Sequence, residues 1–293
     1  MYVDRILKTY SALKSADYVL ATGKFSLWSV WICKWFRKRP SVAIVHGSEV
    51  NLRSSFLRSI TDRSLKSFRK IIAVSNYTSS LIAHLQKEVH VIPNGIDMSQ
   101  WSSIREPEVS LKGNPSLITV GRVSSRKGQL NVIKHIPNLI EQYPDLHYHC
   151  VGIPTEAEAF MVKAKELGVD DQITFHGSVS DAELKTSLQG ANIFVMLSTE
   201  SSDGDVEGFG IAILEANASG LPSIGSKGCG IEDAIKPEYS GILVEPDDSE
   251  AFKSAISTIL NDRITYSENA KKWAQTHGWS DIIKDYIQIL EDT

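Results

Sequence analysis

The chain has 293 residues, 42% of them hydrophobic and 23% charged, with a formal net charge of −4. That is enough for two α/β domains, and it excludes a disordered or low-complexity protein. Cys33, Cys150 and Cys229 stand far apart with no Cys-x-x-Cys pair, no signal-peptide pattern opens the chain, and no uncharged apolar run reaches the ~18 residues of a spanning helix. A reducing cytoplasm and a soluble or peripheral protein are therefore expected.

The net charge hides an asymmetry. Residues 1–100 carry 15 Lys and Arg against 6 Asp and Glu, and the remainder 16 against 29. A basic half suits nucleic acid, anionic lipid or an acidic substrate, but no nucleic-acid motif accompanies it. In chain order, short apolar runs at 17–21 and 41–45 predict strands with a helical stretch between them. That stretch sets Phe25, Trp28, Trp31, Trp35 and Phe36 beside Arg37, Lys38 and Arg39. The mix suits an anionic membrane surface and equally a buried helix that ends in a solvated basic turn. Runs at 71–74 and 89–92 continue the pattern, with a helix predicted at 79–86. Pro93-Asn94-Gly95 then turns the chain, and 99–115, with Pro107, Gly113, Asn114 and Pro115, reads as an interdomain linker.

In the second half, strands are predicted at 116–120, 146–151, 173–176, 193–197, 222–225 and 241–244, with helices between them. This alternation implies a parallel sheet with helices on both faces, and ligands of such sheets bind beyond the carboxyl ends of the strands. The loop after the first of these strands, 121–128, sets Arg122, Arg126 and Lys127 between two glycines. Arg122 and Lys127 are spaced to neutralise a diphosphate from two directions, a planar fork and a flexible ammonium. Further on, Glu207-Gly208-Phe209-Gly210-Ile211 leads into a short apolar helix that carries Glu215. The backbone N–H groups of Phe209, Gly210 and Ile211, at the positive end of that helix, form a phosphate seat. A carboxylate on either side accepts bonds from paired hydroxyls, which is the shape of a nucleotide sugar. The plainer alternatives are an amphipathic helix with surface glutamates and a basic surface loop.

Together with Ile92-Pro93-Asn94-Gly95-Ile96-Asp97, the run 241–246 and His46-Gly47-Ser48-Glu49, this ordered set resembles the group 1 family of retaining glycosyltransferases, from about residue 17 to the end. The resemblance implies a GT-B fold, two α/β Rossmann-like domains facing a cleft. It places an acceptor-side domain at 1–98, a linker at 99–115, a nucleotide-sugar-binding domain at 116–278, and a closing helix at 279–293 that packs back on the first domain. It implies a metal-independent enzyme without a cofactor, with a nucleoside diphosphate sugar as donor and a glycan or lipid-linked acceptor. By the same resemblance, Gly121, Arg122 and Lys127 hold the diphosphate with Phe209, Gly210 and Ile211. Glu215 takes the ribose, the main chain at Gly177 and Val179 holds the base, Glu207 faces the transferred sugar, and His46 reaches it from the first domain. The first domain falls roughly 70–90 residues short of the family pattern, lacking a glycine-rich loop. That implies a fragment, strands supplied by a partner chain, or a more open cleft.

Three patterns compete for attention. Asp203-Gly204-Asp205 imitates a metal-binding Asp-x-Asp, but Arg122 and Lys127 already supply countercharge. His147 and His149 share one strand face and read as a half-buried strand surface rather than a metal site. The run 225–230 imitates a dinucleotide fingerprint and reads as a close-packed loop facing the cleft. Two other functions remain open: a non-catalytic nucleotide-sugar-binding subunit, and an epimerase or phosphorylase on the same scaffold, although no lysine for pyridoxal phosphate is evident.

Overall fold

The computed structural model describes residues 2–101 and 111–293. Most of the predicted linker, 102–110, lies outside them. On its near side Met98–Trp101 is a short helix, and Trp101 and Leu111 both pack into the core of the second unit.

The first unit is a parallel sheet of β1 (Val19–Thr22), β2 (Ser41–Val45), β3 (Lys70–Ala73) and β4 (Val89–Val91) in sequential order. Side chains alternate across a strand, so one apolar run serves two faces. Ala43, Val45, Ile71 and Ala73 pack beneath helices Lys24–Lys34 and Ser55–Ser67, through Leu27, Val30 and Leu65. Val42 and Ile72 point the other way, onto Ile282 and Tyr286 of the closing helix Trp279–Glu291. Both faces of the sheet are thus covered.

The tryptophan stretch divides between its two readings. Along helix Lys24–Lys34 the residues Leu27, Val30 and Cys33 are buried, and half-buried Trp28 donates its indole N–H to Thr61 at 3.0 Å. Just past the helix, Trp35 and Phe36 are 76% and 77% exposed. The helix Tyr2–Ala12, which packs on this one, is absent from the predicted elements, although Val3, Ile6, Leu7 and Tyr10 recur at helical spacing. The helix predicted at 79–86 begins earlier, at Asn76, because Ser75 caps it by accepting from the Thr78 N–H at 2.9 Å. It ends at Leu81, and a single 3₁₀ turn, Ala83–Leu85, follows.

The second unit is a parallel sheet of β5 (Ser116–Val120), β6 (His147–Val151), β7 (Ile173–Gly177), β8 (Ile193–Met196), β9 (Ser223–Ser226) and β10 (Gly241–Val244), in the order β10-β9-β8-β5-β6-β7. Leu117, Val132, Ile136, Phe252 and Ile256 fill one face, and Ile118, Phe194, Met196, Ile213 and Leu214 the other. The winding direction reverses between β5 and β8, so the loops after these two strands open at the switch point where such sheets bind ligands. The chain returns to the first unit beside the place where it left. Ile96 donates to the His277 carbonyl at 2.9 Å and accepts from the Trp279 N–H at 3.0 Å.

The closing helix gives a direct check on this packing. Replacing buried Ile282 with Ala should destabilise the protein by about 2 to 5 kcal/mol in urea unfolding. Ile283, 45% exposed on the same helix, should lose no more than about 0.5 kcal/mol on the same change.

Candidate active site

The loop after β5 is fixed from inside and from beneath. Buried Gln129 accepts from the Ser124 N–H at 3.2 Å and donates to the Arg122 carbonyl at 3.1 Å. Gly128 is left-handed (φ 79°), and a Cβ there would fall 2.0 Å from the Leu197 carbonyl oxygen. Only glycine lets this turn lie against the end of β8. The loop after β8 runs to helix Ile211–Ala218, which starts at left-handed Gly210 (φ 98°) without a side-chain cap. The peptide before it is clamped on two sides. A Cβ at Gly208 would lie 1.6 Å from the His46 carbonyl oxygen of the first unit, and one at Gly230 would lie 2.1 Å from Gly208. The Glu207 carbonyl accepts from the Gly230 N–H at 2.9 Å, and Phe209 is buried.

Charge gathers where these loops meet. The Lys127 ammonium lies 2.7 Å from the Glu207 carboxylate, and the side chains are 15% and 11% exposed. Arg126 donates through Nη1 to Glu207, and its Nε lies 2.9 Å from Asp205. Glu215, one turn into the helix, feels Lys127 and Asp181; burial pushes its carboxyl up, and Lys127 opposes that shift. Arg122 takes no part in these pairs. It is exposed, lining an open polar pocket of about 660 Å³ with Ser124, Arg126, Glu156, Ser201 and Asp203. Gly121 begins the same loop, its N–H on the Val151 carbonyl at 2.8 Å. The Gly177 carbonyl accepts from the Gly152 N–H at 2.8 Å, and Val179 packs on the core beside helix Ile211–Ala218.

The structure therefore brings Lys127, Glu207, Glu215 and the helix start at Phe209, Gly210 and Ile211 together, with Arg122 turned toward the adjoining pocket. His46 is exposed, but its ring stays within the first unit, Nε2 2.8 Å from the Thr22 hydroxyl, and its N–H donates to Glu49 at 2.7 Å. What it sends across the cleft is its carbonyl.

Sequence reasoning assigned no role to Arg126 or to the contacts that join the units. Ser48 donates to Asp205, Asn51 donates to the Gly204 carbonyl at 3.0 Å, and Arg53 pairs with Glu200 at 2.9 Å. The Asn76 N–H donates to Asp233 at 3.1 Å. Adjacent cations in a loop with carboxylates two residues apart elsewhere were the available signal. Asp205 is held by Arg126 and Ser48, and Asp203 accepts from the Ser201 hydroxyl at 2.5 Å. Among the described residues no group of three or more His, Cys, Asp or Glu is placed to hold a metal ion. The histidines need correction, because His147 and His149 are buried, not half-buried. His147 bonds the Thr174 hydroxyl at 2.8 Å, and His149 sits between the Lys112 carbonyl at 2.9 Å and His176 at 3.0 Å. Burial pushes the His147 imidazole down to about 4.

Residues 102–277 match the family model for glycosyl transferases group 1, and residues 2–100 match that for glycosyltransferase family 4. A GDP-mannose-dependent alpha-(1-6)-phosphatidylinositol monomannoside mannosyltransferase of Mycolicibacterium smegmatis is 27% identical over 240 residues, covering 76% of this chain and 62% of the relative. A D-inositol 3-phosphate glycosyltransferase of Corynebacterium glutamicum is 25% identical, covering 93% of this chain and 70% of the relative. The chain thus spans about three fifths of the length of the mycobacterial relative. Among solved structures, Anabaena HepE in complex with UDP superposes with a TM-score of 0.85 at 20% identity, covering 98% of this chain and 82% of HepE. The sucrose-phosphate synthase of Thermosynechococcus elongatus superposes with a TM-score of 0.82 at 21% identity, covering 98% of this chain and 76% of that one. These superpositions identify the fold as two Rossmann-like units around a GT-B-type cleft.

The raised Glu215 carboxyl carries a stability consequence. Its folded value lies above the unfolded one, so its contribution is complete below about 4.5 and is lost as pH rises through the folded value. Glu215→Gln cannot ionise. It should match the parent protein in urea at pH 4 and exceed it at pH 7, and an equal offset at both pH values would contradict the assignment.

Proposed function

This chain belongs to the glycosyl transferases group 1 family, and on that premise we propose that it moves a sugar from a nucleoside diphosphate sugar to a hydroxyl of a glycan or lipid-linked acceptor. The observation that carries this reading is the meeting of Lys127, Glu207, Glu215 and the uncapped helix start at the switch point of the second sheet, facing the first unit. Cations and N–H groups there suit a diphosphate, and the two carboxylates suit the hydroxyls on either side of it. Arg122 and Lys127 bind the diphosphate with the N–H groups of Phe209, Gly210 and Ile211. Glu215 accepts from the ribose hydroxyls, Glu207 faces the sugar, the main chain at Gly177 and Val179 holds the base, and His46 approaches from the first unit. HepE was solved with UDP and UDP-glucose, and the mycobacterial relative uses GDP-mannose, which makes UDP and GDP the donors to test first.

The reaction we assign retains configuration. The bond from the anomeric carbon to the diphosphate oxygen breaks, the acceptor hydroxyl attacks the same face, and its proton passes to the departing phosphate oxygen. Charge grows on the diphosphate in this step, and side chains that strengthen their hold there lower the barrier. Arg122 and Lys127 do so without a metal. Replacing either with Ala should weaken UDP or GDP binding by about 1.5 to 3 kcal/mol in calorimetry, while excess chelator leaves the parent protein's affinity unchanged. Affinity intact in both variants, or lost in chelator, would overturn the assignment.

The acceptor side favours a membrane-borne substrate at the cytoplasmic face. No helix among the described residues is long and apolar enough to cross a membrane. Exposed Trp35 and Phe36 instead stand beside exposed Lys38 and beside Arg37, whose guanidinium lies 4.5 Å from the Tyr10 ring, and the helix that carries Tyr10 also exposes Val3 and Leu7. Aromatic and aliphatic side chains beside cations fit an anionic interface, each cation near the surface contributing about 1 kcal/mol. Arg39 is excluded from that role, because it donates to the Leu13 and Lys14 carbonyls. In flotation the protein should bind phosphatidylserine-containing vesicles, less so as salt rises, and phosphatidylcholine vesicles far less. Arg37→Glu with Lys38→Glu should abolish this binding without altering nucleotide affinity. Equal binding to both vesicle types would remove the proposal.

A further inference from the structure

The donor reading gives Lys127 two tasks that conflict. Its ammonium rests 2.7 Å from Glu207, a carboxylate 11% exposed. To turn to a diphosphate it must leave that carboxylate, which would then face an incoming polyanion. A nearly buried charge stripped of its partner is strongly unfavourable, and it would repel the ligand at short range.

Arg126 removes the conflict. Its planar fork reaches two carboxylates at once, Nη1 on Glu207 and Nε 2.9 Å from Asp205, so Glu207 keeps a cation whichever way Lys127 turns. A lysine, a point charge with rotatable donors, offers no such fixed fork. The far oxygen of Asp205 accepts from the Ser48 hydroxyl of the first unit. An unbroken polar chain therefore runs from the first unit across the cleft to Glu207. Ser48, Asp205 and Arg126 are joined in the arrangement that packs Gly208 under His46.

We infer that Arg126 is the positioning residue of the site: it retains Glu207 when Lys127 transfers to the donor diphosphate, and Asp205 and Ser48 tie that support to the closed arrangement of the two units. The inference rests on the donor reading above, and it asks nothing of Arg126 toward the ligand itself. Removal of Arg126 is therefore repairable by removing the charge on Glu207, which distinguishes positioning from direct phosphate contact.

The test is a double-mutant cycle read by calorimetry with UDP and with GDP. Arg126→Gln should weaken whichever nucleotide the parent protein binds by about tenfold, because Glu207 then pins Lys127. Arg126→Gln with Glu207→Gln should return to within about threefold of Glu207→Gln alone. Ser48→Ala should produce a smaller loss, about threefold, that Glu207→Gln likewise removes. A double variant as weak as Arg126→Gln would make Arg126 a phosphate ligand and overturn the inference, as would full affinity in Arg126→Gln. Should Arg126→Gln fail to fold, Arg126→Lys keeps the charge and should show a partial loss restored in the same way; wild-type affinity there would overturn the role of the fork. If the parent protein binds neither nucleotide, the donor reading falls and this inference with it. Loss in Arg122→Ala beside full affinity in Arg126→Gln would remove the positioning role alone.

Discussion

The two units meet at a point where no side chain fits. The His46 carbonyl lies over Gly208, and Gly230 lies beneath it, so the peptide that carries Glu207 is held between two backbones. This places a carboxylate on a fixed peptide instead of a free loop, which is what precise contact with a ligand requires. The contact itself is weakly bound, since a Cα–H against a carbonyl is worth about 1 kcal/mol or less. Around it stand Arg53 with Glu200, Asn51 with Gly204 and Asn76 with Asp233, polar contacts of modest strength, beside the buried Thr78 hydroxyl, which donates to the Gly208 carbonyl. The close approach therefore defines the geometry of the junction, and buried Val74 of the first unit, packed into the apolar core of the second, adds to its hold.

Opposite charge on the two halves works in the same direction. Across the junction the first unit contributes Arg53 and the second Glu200, in line with the split of 15 cations against 6 anions in residues 1–100, while Asp233 meets the neutral Asn76. At the site itself the balance is local and reversed. Arg126 and Lys127 are cations within the acidic half, each set against a carboxylate of the next loop. Exposed charges far apart are screened by salt, so at the site the close pairs outweigh the overall balance of the two halves.

The strands were legible because each is a short apolar run between turn residues: 41–45, 116–120 and 241–244 coincide with β2, β5 and β10. Strand order was not, because parallel pairing joins residues far apart and leaves no local period. Nothing in the run 116–120 says that β5 lies between β8 and β6. The same distance hid Arg126, whose partner Glu207 is 81 residues away, so that from the sequence it looks like one more solvated cation. The buried pair His147 and His149 was misjudged for a related reason. The partners that make burial tolerable, Thr174, His176 and the Lys112 carbonyl, come from other elements.

Glu215 shows how such a site stands out from its scaffold. Helix Ile211–Ala218 buries Ile213, Leu214, Ala216, Asn217 and Ala218, and packing alone would favour an apolar side chain at the position between them. A carboxylate there is raised by burial and only partly relieved by Lys127, and so it reduces stability at neutral pH. Asn217, by contrast, donates through its amide nitrogen to the Leu221 carbonyl and the Ser223 hydroxyl, each at 2.9 Å, while its buried Oδ1 has no partner among the described residues. Two polar residues on one apolar helix thus differ in kind: Asn217 ties the helix end to the strand that follows through its amide nitrogen, whereas Glu215 carries a charge that burial opposes, the pattern expected of a group that faces a ligand.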